Sequence, residues 1–175
     1  AAWPTHTLHD LPGGPVTGLL MPKVQQGKDA HILYSPAHRK MVFPQADWAF
    51  LTHAAINCAI AFETIHQAGV VIADVNQSNV FITTNAMARL IDCDSFQFAF
   101  KGSTYYCDVG VPIYTPPELQ KKPFRGVTRT ANHDHFGLAV LIFHLLFMGR
   151  HPFSGRYLGH GEMPIDEAIA QFRYA

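Results

Sequence analysis

The stretch Val70–Gln97, VVIADVNQSNVFITTNAMARLIDCDSFQ, decides how this chain is read. Two short apolar runs, Val70–Ile72 and Val80–Thr83, flank a polar turn carrying Asp74, Asn76 and Asn79. A third run, Ala88–Ile91, delivers Asp92 and then Asp94. β-Branched residues alternating with polar ones, with Asn at the breaks, predict short strands joined by tight turns. Such strands can bring two carboxylates and an amide to one mouth. An amide oxygen and a carboxylate are hard oxygen ligands, the type Mg²⁺ takes while it also holds phosphate. Asp74 is then free to orient or deprotonate a hydroxyl. The chemistry so indicated is phosphoryl transfer.

These residues resemble motifs of the protein kinase family. Asp74-Val75-Asn76-Gln77-Ser78-Asn79 resembles the catalytic loop H-R-D-L-x-x-x-N, and Asp92-Cys93-Asp94 resembles D-F-G. Just upstream, Ile65-His66-Gln67-Ala68-Gly69-Val70 resembles the L-H-x-x-G-I that ends the preceding kinase helix. Downstream, Gly110-Val111-Pro112-Ile113-Tyr114-Thr115-Pro116-Pro117-Glu118 resembles G-T-P-x-Y-x-A-P-E, the close of an activation segment. His133-Asp134-His135-Phe136-Gly137-Leu138-Ala139 resembles the D-x-W-S-x-G that opens the central helix, and Gly149–Phe153 resembles G-x-x-P-F. Leu19-Leu20-Met21-Pro22-Lys23-Val24 resembles the hinge strand L-V-M-E-Y-V.

The resemblance implies an α+β fold: a mainly α-helical C-lobe with short strands at the active-site mouth and a hinge strand. Residues 1–24 would end the N-lobe and form the hinge, and 25–175 a truncated C-lobe, all one partial domain. It implies ATP with Mg²⁺ or Mn²⁺ as cofactors and an unidentified protein as substrate. Asp74 would be the catalytic base, with Asn76 beside it where the family places a Lys. Asn79 and Asp92 would hold the metal. Met21 would be the gatekeeper, Pro22 and Val24 would face the adenine, and Phe81 would floor it. Asp134 would accept hydrogen bonds from the catalytic-loop backbone, and Glu118 would give structural support. Ser95, Ser103, Thr104, Tyr105 and Tyr106 are candidate autophosphorylation sites. The phosphate-covering G-x-G-x-x-G loop, the V-A-I-K lysine and its glutamate partner are missing. The chain is therefore expected to be a piece of a longer protein that binds nucleotide poorly by itself.

Several departures separate the chain from the family pattern. His-Arg of the catalytic loop is Ile72-Ala73, Phe-Gly of D-F-G is Cys93-Asp94, and the Thr of G-T is Val111. Without that Arg, activation through a phosphorylated loop pairing with it is not available. The style of these departures resembles bacterial kinases encoded near tellurium-resistance-type genes. Two alternatives stand beside an active protein kinase. One is a pseudokinase scaffold, suggested by the lost motif residues. The other is a small-molecule kinase of aminoglycoside or choline type, suggested by Ile91-Asp92-Cys93-Asp94.

The rest of the sequence frames these motifs. A chain of 175 residues that is 48% hydrophobic is ample for one core, and zero net charge offers no basic stripe for nucleic acid. Cys58, Cys93 and Cys107 are an odd count without a C-x-x-C pair, which speaks against a disulfide framework or zinc site and fits a reducing cytosol. The histidines fall in no metal-ligand spacing. No charged segment followed by an apolar core opens the chain, and Leu138–Met148 is too short to span a bilayer, so a cytoplasmic protein without a membrane partner is expected. Apolar residues at helical spacing predict a helix over Trp48–Ala68, capped by Asp47 and closed by Gly69. Further helices are expected through Leu138–Met148 and Pro164–Phe172, and a strand over Val16–Met21. Ala1–Pro15 reads as loop and turn, Gly27-Lys28-Asp29 as a turn, and Ser95–Val109 shows no clear periodicity.

Overall fold

The computed structural model describes residues 2–174. In chain order its elements are β1 (His6–His9), β2 (Val16–Leu20), β3 (Gly27–Asp29), α1 (Ala30–Tyr34), α2 (Pro36–Val42), α3 (Trp48–Gln67), β4 (Val80–Thr83), β5 (Ala88–Leu90), β6 (Phe98–Phe100), β7 (Ser103–Tyr105), α4 (Ala131–Leu146) and α5 (Ile165–Ala170). Short 3₁₀ turns occupy Cys93–Ser95, Pro112–Tyr114 and Pro117–Leu119. The fold is α+β.

Two helices make the centre. The Asp47 side chain caps α3 by accepting the Phe50 N–H at 2.8 Å, and Gly69 follows the helix at φ +73°. Leu51, Ala54, Ala55, Cys58 and Phe62 recur at helical spacing and are buried as one stripe. α3 is long and apolar enough to cross a membrane by length and composition, yet that stripe lies in the protein core. Its main neighbour is α4, opened by a capping box in which Thr130 and His133 satisfy each other's backbone N–H groups. Val140, Leu141 and Leu145 of α4 are all but inaccessible, as are Ile82 and Leu90 beneath them. Each such side chain contributes roughly 1.5–3 kcal/mol by leaving water.

A small antiparallel sheet, in the order β3-β4-β5, covers one end of this core. Val80 and Ile82 point inward, while Phe81 lies on the other face opposite Asp29 and Arg89. The loop after α3 is held close to α4 because Gly137 has no side chain. A Cβ there would meet Val75 at 2.8 Å and the Tyr114 carbonyl at 3.1 Å.

Four segments differ from the sequence expectation. Val70–Ile72 is not a strand; only Val71 forms a bridge, with Gln97. The N–H groups of Ile72 and Ala73, which a ladder would need, are taken by the Asp134 carboxylate instead. The N-terminal residues contain β1, whose partner β2 stops at Leu20, one residue short of Met21. Both strands are largely exposed, so no hydrophobic alternation marks β1. Gly27–Asp29 is an edge strand rather than a turn. Within Ser95–Val109, β6 and β7 form a hairpin whose turn residues Lys101 and Gly102 have φ of +48° and +78°.

A buried polar cluster joins Tyr114, His144 and His151. The Tyr114 hydroxyl and His144 Nδ1 are 3.0 Å apart, and the His144 and His151 rings are 5.4 Å apart. Burial, and next to it the neighbouring His151, pulls the His144 pKa down to about 4. His144 is thus neutral when folded and takes up a proton first in the unfolded chain. Its contribution is complete above the ordinary histidine pKa near 6.5 and is lost as pH falls toward 4. Urea denaturation should lose about 2 kcal/mol of stability between pH 7 and pH 5, and His144→Gln should flatten that slope. A slope unchanged by the substitution would contradict the assignment.

Candidate active site

The loop that follows α3 is built around a buried carboxylate. Asp134, only 1% exposed, accepts the Ile72 N–H at 2.7 Å and the Ala73 N–H at 2.8 Å. His66 Nε2 lies 2.8 Å from the same carboxylate. Ala73 sits at φ +63°, and the Asp74 N–H donates to the Ile72 carbonyl at 2.7 Å. That closes a γ-turn of the rare kind with positive central φ. Such strain costs about 1–3 kcal/mol, which the surrounding bonds offset. Its effect is to fix the backbone that carries Asp74.

Asp74 is 9% exposed. Its Oδ2 and main-chain oxygen accept from Asn79 Nδ2 at 3.2 and 3.1 Å. The other carboxylate oxygen, Oδ1, is buried without a hydrogen-bond partner. Asn76 Oδ1 accepts the Ser78 and Asn79 N–H groups at 2.9 and 3.2 Å. This Asn side chain is engaged inside the loop rather than extended from it.

The second arm arrives through β4 and β5. The Ile91 N–H donates to the Asn79 carbonyl at 3.0 Å and ties this arm to the loop. Asp92 sits at φ +59°, with its carbonyl accepting both the N–H and the hydroxyl of Ser95 at 3.3 and 2.9 Å. Partial desolvation, then the Asp94 carboxylate, then the charge of Asp74 raise the Asp92 pKa. The two neighbouring carboxylates thus disfavour the charged form of Asp92, and a cation beside it would relieve that. Asn79 directs its amide nitrogen at Asp74, which leaves its Oδ1 as an uncommitted hard ligand. No three His, Cys, Asp or Glu side chains stand in metal-binding geometry among the described residues. A divalent cation here would rest on one carboxylate, one amide oxygen and phosphate oxygens, and the donors present fit that.

Phe81 and Val24 lie on one patch, since a Cβ at Gly27 would meet them at 3.1 and 3.4 Å. Met21 and Pro22 follow β2 and are exposed.

The pattern of the protein kinase domain matches residues 17–172. The chain belongs to the protein kinase family. It is 49% identical over 176 residues to protein kinase YegI of Escherichia coli O157:H7, and 48% identical over 176 residues to that of strain K12. Each match covers 99% of this chain and 27% of the relative, so the chain spans about a quarter of the length of these curated relatives. The mouse serine/threonine-protein kinase Nek3 is 28% identical over 101 residues, 57% of this chain and 19% of its own length.

Other residues singled out in the sequence take varied places in this kinase domain. Glu118 is exposed, with His133 Nε2 3.6 Å from its Oε1. Ser103, Thr104 and Tyr105 form the exposed β7, and Tyr106 follows it, also exposed. Tyr105 stacks on Phe98 with centroids 4.9 Å apart. Ser95 is committed to the Asp92 carbonyl.

Two residues at the site were not read from the sequence. Arg129, 4% exposed, donates to the Ala73 and Val109 carbonyls. Gln97 clasps the Arg129 backbone in both directions, at 2.7 and 2.8 Å. Neither falls within a motif. The one available signal is a charged residue set among Thr and Val just before an apolar helix.

Proposed function

We propose that this chain is the catalytic-loop-bearing part of a divergent bacterial protein kinase. It transfers the γ-phosphoryl group of ATP to protein Ser, Thr or Tyr hydroxyls, including its own. The observation that carries this reading is the Asp74 carboxylate, with one oxygen held by Asn79 and the other buried and free. Once the loop opens to admit it, an acceptor hydroxyl would satisfy that free oxygen, be oriented by it and give up its proton to it. Asn79 and Asp92 would hold Mg²⁺ or Mn²⁺, which when bound neutralises the phosphate charge that builds up in transfer. Phe81 and Val24 supply an apolar floor for the adenine, and the chain at Met21 and Pro22 runs along its edge. Asn76 shapes the loop, and Asp134 supports the same loop from below, while Glu118 braces the end of the activation segment. Residues 1–24 are read as the end of the N-lobe with the hinge, and 25–175 as C-lobe. Ser95, Ser103, Thr104, Tyr105 and Tyr106 remain the candidate autophosphorylation sites, the last four accessible on or beside β7.

The test is radiolabelled ATP with the full-length protein and Mg²⁺ or Mn²⁺. Label on protein supports the reading. Label only on a small hydroxylated acceptor would make this a small-molecule kinase, and ATP binding without any transfer would make it a scaffold. Asp92→Ala in the full-length protein should weaken Mg²⁺-dependent ATP binding by about two orders of magnitude, or about 3 kcal/mol. Unchanged affinity in calorimetry with metal present would remove Asp92 from the metal site.

A further inference from the structure

Ala73 stands where the family's catalytic loop carries an Arg, yet the loop does not lack a guanidinium. One arrives from Arg129, 56 residues downstream, at the N-terminal edge of α4. Nη1 donates to the Ala73 carbonyl, in the strained γ-turn that carries Asp74. Nη2 donates to the Val109 carbonyl, with the Cys107 carbonyl at 3.5 Å. A single buried cation therefore joins the catalytic loop to the end of the segment that follows β7.

Arg129 is itself held at its side chain and at its backbone. Its guanidinium carbon lies 4.1 Å from the Phe124 ring centroid. Its backbone is clasped by the Gln97 side chain, and Gln97 in turn bridges Val71 at 2.8 Å through both backbone bonds. Gly110 completes the enclosure, because a Cβ there would strike Phe124 at 2.9 Å and approach Arg129 Nη1 at 3.3 Å. A charge-assisted bond to a carbonyl is about twice as strong as a neutral one, and planar two-point recognition fixes orientation as well. The exposed hydroxyls of Ser103, Thr104, Tyr105 and Tyr106 have no share in this arrangement.

We propose that Arg129 is a positioning residue that locks the activation segment onto the catalytic loop in the unphosphorylated chain, so that transfer requires no phosphate on Ser103, Thr104, Tyr105 or Tyr106. The proposal rests on the protein kinase reading above. In the family's usual arrangement the loop's own Arg waits for a phosphate. Here both terminal nitrogens of a buried Arg are already committed to main-chain carbonyls.

The experiment uses full-length protein carrying Arg129→Lys, which keeps a charge but loses the two-point fork. Limited proteolysis within 107–111 should accelerate about tenfold or more while amide exchange in α3 and α4 stays protected. In the same variant kcat should fall about 10- to 100-fold with KM for ATP unchanged, the signature of a misplaced reacting group rather than lost nucleotide binding. Phe124→Leu, which loosens the guanidinium without removing its donors, should shift both readouts in the same direction by a smaller factor. A combined Ser103→Ala, Thr104→Ala, Tyr105→Phe, Tyr106→Phe variant should keep the wild-type kcat. Unchanged proteolysis within 107–111 in Arg129→Lys, or loss of kcat in the combined variant, would overturn the proposal. Absence of transfer by the wild-type protein would sink the kinase reading instead, and the proteolysis comparison would still decide whether Arg129 is the lock.

Discussion

Asp74→Asn in the full-length protein is expected to lower phosphoryl transfer by about 10²–10⁴-fold while ATP binding is retained. The substitution is nearly isosteric, and the new amide oxygen can still accept from Asn79 Nδ2 where Asp74 Oδ2 does now. What disappears is the carboxylate's ability to take a proton from the acceptor. The buried, unpartnered Oδ1 also makes a stability forecast possible. Burying an unsatisfied charged oxygen is unfavourable, so the neutral variant should melt no lower than wild type, and higher if anything. Single-turnover transfer to a protein acceptor and thermal unfolding measure the two quantities. A rate within threefold of wild type would remove Asp74 as the base. A large drop in melting temperature would show that its charge supports the fold.

Asp134→Ala is expected to produce the largest loss of stability, about 3–5 kcal/mol. Two backbone N–H groups and the His66 ring would lose their partner together, each in a place that water does not reach readily. The loss should be localised before it is global. Ala73 holds its positive φ in part because Asp134 takes its N–H, so the γ-turn should relax and the amides of Ile72 and Ala73 should exchange early. Urea denaturation reads the total and residue-resolved hydrogen exchange reads the order. A well-folded variant that loses only metal affinity would place Asp134 in the chemistry rather than beneath it.

Much of the arrangement was legible because it is written locally. The Asp47 cap, the stripe from Leu51 to Phe62 and the closing Gly69 state a helix within a single window of sequence. Asp74, Asn79 and Asp92 were singled out by motif resemblance; the structure joins Asp74 to Asn79 directly and ties the arm before Asp92 to Asn79 through Ile91. The strand assigned to Val70–Ile72 failed for a reason that no window contains. Its amides are claimed by a carboxylate some 61 and 62 residues away. β1 was missed because a strand exposed on both faces carries no alternation, and the β6–β7 hairpin because its turn is signalled only by Lys101-Gly102.

The sequence alone determined that the chain carries motifs of the protein kinase family on an α+β fold. Periodicity, capping and motif spacing are properties of neighbours along the chain. Only the tertiary structure decided what each polar group does there: that Asn76 folds into its own loop, that one oxygen of Asp74 is left free, and that Arg129 supplies the guanidinium absent at Ala73. Those assignments depend on which buried donors and acceptors meet across the core. A buried polar group must find its partner wherever the packing provides one.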